Sequence, residues 1–161
     1  MHSMTAYEGS MPVPDGSGVP QAPRLQRLPE PENGPGVADR LIAIVDDDPG
    51  IAMFNGVALR QAGYRTVIHS NAGDCLAAFR ADPSAVSLIL TDQSMPGMTG
   101  MELALTLRQE GLDVPVVIVS GYNRTPLPET MGRLGRVEFL AKPYKVGALF
   151  GTIERMLRAE D

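Results

Sequence analysis

Five short runs rich in aliphatic residues alternate with segments of helical periodicity, and this alternation constrains the fold more than any other feature. The runs are Leu41 to Val45, Arg65 to Ile68, Ser87 to Thr91, Val114 to Val119 and Val137 to Leu140. Runs this short, bounded by turn residues, read as buried strands. The first intervening segment starts at Asp48-Pro49, an N-cap followed by a first-turn proline. Its apolar residues Ile51, Phe54, Val57, Ala58 and Ala62 recur at helical spacing, and Gly63 ends it. Asp74 to Arg80 predicts a second helix, with Asn71 as its candidate cap. Thr99 and Glu102 form a T-x-x-E capping box for a third, running to about Gln109. Pro126 and Pro128 restrict the fourth to a short helix from Pro128 to Leu134. The last runs from about Tyr144 to Arg158, with Val146, Leu149, Phe150, Ile153 and Leu157 on one face. Strands alternating with helices imply a parallel sheet covered on both sides, a doubly wound α/β sandwich.

In such sheets the ligand site lies outside the carboxyl ends of the strands. Asp46 and Asp47 follow the first strand, Asp92 the third, Ser120 the fourth and Lys142 the fifth, so all are expected at one edge. Carboxylates held together repel one another, and a hard cation relieves that repulsion. Oxygen ligands favour Mg²⁺ or Mn²⁺ over Zn²⁺. A lysine adds a point charge for a phosphoryl oxygen, and a serine hydroxyl adds a hydrogen bond. This set suits phosphoryl transfer to an aspartate.

Composition narrows the alternatives. With 19 acidic and 14 basic residues the formal charge is −5, which argues against a nucleic-acid surface. A single cysteine excludes an internal disulfide framework or a Cys-based metal cluster. No apolar stretch reaches the ~20 residues of a membrane span, and no secretion signal is visible, so a cytoplasmic protein is expected. Residues 1–38 hold 7 of the 14 prolines and 5 of the 17 glycines. They lack apolar periodicity and read as a disordered tail or linker, leaving residues 39–160 as the globular domain.

Four segments now carry a family resemblance: Ile44-Val45-Asp46-Asp47-Asp48, then Asp92-Gln93-Ser94-Met95-Pro96-Gly97-Met98-Thr99-Gly100, then Val119-Ser120-Gly121, then Lys142-Pro143-Tyr144. Together they resemble the receiver domain of two-component response regulators. The resemblance implies a flavodoxin-like (βα)₅ sandwich with strand order 2-1-3-4-5. It implies that Asp92 is the phosphoacceptor, that Asp47, Asp92 and the Ser94 backbone carbonyl bind Mg²⁺ (or Mn²⁺), and that Asp46 acts through water. Lys142 would bridge to the phosphoryl group. Ser120 would be the switch hydroxyl and Phe139 the switch aromatic. The donor would be a histidine kinase or a histidine phosphotransfer protein, and the chain a signalling switch rather than an enzyme acting on external substrates. The Pro-rich segment and Ser120-Gly121-Tyr122 are similar to C-terminal receivers of hybrid histidine kinases. Gly121 stands where a small alanine is usual, which implies easy access of water to an acyl phosphate. Three other readings are weaker. A small Mg-dependent phosphatase would carry D-x-D, but position 94 is Ser. A nucleotide binder would carry G-x-G-x-x-G after the first strand. A degenerate receiver used only for docking would have no need of the full site set.

Overall fold

A computed structural model describes residues 37–121 and 128–159. The expected tail thus lies outside the described residues except for Val37 and Ala38, as does Tyr122. Five parallel strands form one sheet: β1 (Leu41–Val45), β2 (Arg65–His69), β3 (Leu88–Asp92), β4 (Val116–Ser120) and β5 (Val137–Ala141). Their order is β2-β1-β3-β4-β5, the expected flavodoxin-like topology. Five helices connect and follow them: α1 (Pro49–Gln61), α2 (Ala72–Ala81), α3 (Gly100–Gln109), α4 (Pro128–Leu134) and α5 (Val146–Arg158). A short 3₁₀ turn, Val37–Asp39, precedes β1, and Val37 packs against the core. Packing therefore reaches two residues before the expected start of the domain.

The period of two along each strand divides the core between the faces. Ala43, Val45, Ile89, Val116, Ile118 and Val137 point to one side, where α2, α3 and α4 supply Leu76, Phe79, Leu103, Leu107 and Leu134. Ile42, Ile44, Leu88, Leu90, Val117 and Val119 point to the other, against Leu59 of α1 and Leu149, Ile153 and Leu157 of α5. Strands buried on both faces need unbroken apolar runs, which is what the sequence shows.

Helix α1 presents a different face from the one its large apolar residues suggest. Met53, Phe54 and Val57 are exposed, and the buried stripe is Ala52, Asn55, Gly56, Ala58 and Leu59. Small residues bring the helix close to the sheet: a Cβ on Gly56 would lie 3.4 Å from Ile68 and 3.7 Å from Ile44. Several element boundaries also shift by one or two residues. β4 starts at Val116, after Pro115, which has no N–H to give a ladder. α2 starts at Ala72, because the Asn71 side chain accepts from the Asp74 backbone N–H at 2.8 Å. α5 starts at Val146, because Tyr144 turns its hydroxyl onto α1.

Candidate functional site

The site forms where the winding of the sheet reverses, between β1 and β3. Backbone hydrogen bonds lace the carboxyl ends of neighbouring strands together there. The Asp46 N–H donates to the His69 carbonyl at 3.1 Å, Gln93 to Val119 at 2.8 Å, and Lys142 to Ser120 at 2.8 Å. Strand alternation then decides which side chains meet. Asp46, Asp92 and Lys142 each lie two residues beyond a strand residue packed on the α1–α5 side, namely Ile44, Leu90 and Leu140. Ser120 and Phe139 have the opposite parity. Phe139 is partly buried against the α2–α3–α4 side of the core, with Ile118 as its β4 partner.

Asp92 is the last residue of β3 rather than the first beyond it, since it still pairs with Val119. Likewise Ser120 closes β4. Asp92 is 7% exposed and Asp46 6%. The Lys142 ammonium lies 2.5 Å from Asp92 Oδ1, and the Ser94 backbone N–H donates to Oδ2 at 2.9 Å. Asp46 Oδ1 accepts from the Asp48 N–H at 2.9 Å. Asp48 in turn caps α1, accepting from Gly50 and Ile51. Asp47 stands exposed at the rim.

The loop from Gln93 to Thr99 fixes Ser94 beside Asp92. Met95 is buried and Met98 half-buried in the same apolar cluster. Gly97 turns at φ +82°, a conformation that favours glycine. Gly100 opens α3 against the strand end, where a Cβ would come within 2.6 Å of the Asp92 carbonyl oxygen. The Gln93 side chain accepts from the Met101 N–H at 2.9 Å. Thr99 and Glu102 complete the expected capping box. Met95, Met98 and Gly100 of the D-x-x-M-P-x-M-x-G run thus each have a mechanical task.

Burial raises the Asp46 pKa, and repulsion from Asp92 adds to the rise. For Lys142 burial pulls the other way, but the hydrogen bond and charge of Asp92 outweigh it and the pKa rises. The Lys142 ammonium therefore stays charged at neutral pH. Oxygen donors at this edge are the Asp46, Asp47 and Asp92 carboxylates. Among the described residues no three His, Cys, Asp or Glu side chains form a cage of their own. So sparse an all-oxygen set fits a hard cation that keeps most of its waters.

The Asp46 shift predicts a pH signature. A carboxyl whose folded pKa lies above its unfolded value contributes stability that is fully present below about 3.8 and lost as pH rises through the folded value. Ionised Asp46 is thus a liability at neutral pH when no divalent cation is present. Thermal melts in chelator should show Asp46→Asn with a higher midpoint than the parent at pH 7, and the gap should close toward pH 3.5. A lower midpoint, or a gain independent of pH, would contradict the assignment.

Two further residues of this neighbourhood form a pair that periodicity does not predict. Asn55, on α1, is 3% exposed. The Tyr144 hydroxyl donates to its Oδ1 at 2.9 Å, across 89 residues of sequence. Buried asparagine on an apolar helix face was the available signal.

A doubly wound parallel sheet with a buried aspartate paired to a half-buried lysine at its switch point defines a class of α/β proteins that bind ligands at the carboxyl edge. The chain belongs, within that class, to the response regulator receiver domain family of two-component systems, whose profile matches residues 42–154. It is 31% identical over 120 residues to the C4-dicarboxylate transport transcriptional regulatory protein DctD of Pseudomonas aeruginosa, covering 74% of this chain and 26% of that protein. Over 116 residues it is 28% identical to the transcriptional regulatory protein FixJ of Azorhizobium caulinodans, covering 72% and 54%. The chain therefore spans between about a quarter and about half the length of these relatives. The crystal structure of FixJ-N superposes with a TM-score of 0.66 at 28% identity, over 74% of this chain and 94% of that one. A receiver domain protein from Clostridium thermocellum shares the fold, with a TM-score of 0.69 at 21% identity over 75% and 96%. Among the described residues no helix is long and apolar enough to cross a membrane.

Proposed function

We propose that this chain is a phosphoryl-accepting switch in which Asp92 takes a phosphoryl group from a phosphohistidine of a histidine kinase or histidine phosphotransfer protein. The observation that carries this reading is the Lys142 ammonium held 2.5 Å from the carboxylate of a nearly buried Asp92, beside a second buried acid, Asp46. An Asp92 carboxylate oxygen attacks phosphorus, the P–N bond breaks, and the imidazole leaves with the bonding electrons and is protonated. Lys142 moves from pairing with the carboxylate to pairing with a phosphoryl oxygen. The Ser94 N–H holds the carboxylate in the meantime.

The donor set suits Mg²⁺ or Mn²⁺ bound by Asp47, Asp92 and the Ser94 carbonyl, with Asp46 reaching it through water. Such a cation would offset the charge that develops on the phosphoryl oxygens. Ser120 offers its hydroxyl to the new phosphoryl group. Phe139, on the same face of the sheet, carries the change into β5 by packing alone, since it has no hydroxyl. Beside Gly121 an added Cβ would meet none of the described residues within 4 Å. Water thus approaches the acyl phosphate freely from that side, and the phosphorylated state is short-lived. The switch works in the cytoplasm, where its phosphohistidine donor is charged from ATP.

Incubation of the protein with phosphoramidate and Mg²⁺ tests the reading. The expected product is one phosphoryl group per chain, released by hydroxylamine and not formed in excess chelator. A label that resists hydroxylamine, or one that forms equally well in chelator, would overturn it.

A further inference from the structure

We infer that Tyr144 is a positioning residue for Lys142 and that it acts through its hydrogen bond to Asn55. Five residues with polar side chains are buried among those described: Asp46, Asn55, Thr91, Asp92 and Thr152. The first four lie together beneath the acidic edge, beside Val119 and Tyr144. Asn55 and Thr91 have no part in the proposed chemistry; the Thr91 hydroxyl is satisfied locally by the Asp92 carbonyl at 3.0 Å, whereas the partner of Asn55 comes from another element. The neighbours of Asn55 on the packed face of α1 are Ala52 and Leu59, so an amide there needs a partner to offset its desolvation. The Tyr144 hydroxyl supplies that partner at 2.9 Å.

Tyr144 lies two residues beyond Lys142, in the loop that joins β5 to α5. That loop is tied at two points. The Lys142 N–H is fixed to the Ser120 carbonyl at 2.8 Å, and Tyr144 is fixed to α1. Lys145, at the far end, caps α5 without any side-chain hydrogen bond. Among the described residues, the Tyr144 hydroxyl is thus the side-chain hydrogen bond that ties the loop to the body of the domain past Lys142, beside the packing of its ring. A lysine stem is long and loses much rotamer freedom when its ammonium is held in one place. A fixed backbone on both sides of Lys142 limits where the ammonium can go and keeps it within reach of Asp92.

This inference rests on Asp92 being the phosphoacceptor, and its test separates the two. Tyr144→Phe keeps the ring and removes only the hydroxyl. Labelling of Asp92 by phosphoramidate is expected to slow about three- to tenfold, the range that one ordinary hydrogen bond supplies. Asn55→Leu should slow it comparably, and the double variant should be no slower than either single one. In a Lys142→Ala background, followed over longer times, adding Tyr144→Phe should change nothing, because the hydroxyl acts through the ammonium. A general loss of stability would slow labelling in both backgrounds alike. Parental rates in Tyr144→Phe, or an equal fold-loss in the Lys142→Ala background, would overturn the inference while leaving the phosphoacceptor reading intact. Failure of the parent protein itself to label at Asp92 would overturn both.

Discussion

Asp92→Asn should reduce phosphoryl labelling of this protein by at least about a hundredfold, because an amide oxygen is not a useful nucleophile toward phosphorus. The substitution is a clean one. Asn keeps the shape of the side chain, and an amide oxygen still accepts from the Ser94 N–H that now bonds Oδ2. What it removes is the charge facing Lys142. Folding should survive, since the Asp92 charge also repels Asp46 and contributes to its raised pKa. Labelling and a thermal melt on the same sample separate lost chemistry from lost structure. Undiminished label on a folded Asp92→Asn variant would refute the assignment. The phosphatase alternative predicts something different: continuous turnover of an external phosphate ester in Mg²⁺, rather than one group transferred per chain.

The parts of this molecule that were legible in the sequence are those fixed by periodicity and local chemistry. Strands buried on both faces must be apolar throughout, so β1 and β4 announce themselves. The caps at Asp48, Asn71 and Thr99 were legible because a cap bonds backbone only two or three residues away. The acidic edge followed from topology, since Asp46, Asp92 and Lys142 each end a strand region and parallel strands bring those ends together. The packed face of α1 was not legible in this way. Counting apolar residues favours Phe54 and Val57, but the close approach of helix to sheet selects Ala52 and Gly56 and leaves the large side chains outside. Nor could periodicity reveal the bond between Asn55 and Tyr144, which depends on where a loop after β5 passes the middle of α1. Long-range polar pairs belong to tertiary packing and carry no local signature.

Arg108 shows the same limit and supports the second large effect. It sits in the last turn of α3 and reads in sequence as an ordinary basic residue near a helix end. In the fold its side chain is only 13% exposed. Its Nε donates to the Leu134 carbonyl at 2.7 Å, Nη1 to Leu112 at 2.7 Å, and Nη2 to Val114 at 2.7 Å and Arg136 at 3.3 Å. One guanidinium thus joins the end of α4, the turn before β4 and the entry to β5. Helix α4 has seven residues, too few to hold together without tertiary support. It ends at Gly135, whose φ of +65° favours glycine and whose added Cβ would press on Arg108 at 3.0 Å. Arg108→Met keeps much of the stem and removes every donor, leaving the Leu112, Val114 and Leu134 carbonyls without the guanidinium, while the Arg136 carbonyl keeps the Val116 N–H. Denaturant unfolding should show a loss of about 2–4 kcal/mol. Amide exchange should rise first in the last turn of α4 and at the start of β5. Arg108→Lys should recover little, because a single ammonium cannot span the same set of carbonyls. A loss below about 0.5 kcal/mol, the range of an ordinary surface substitution, would mean that water replaces the guanidinium and that α4 is held by Leu134 and Met131 packing alone.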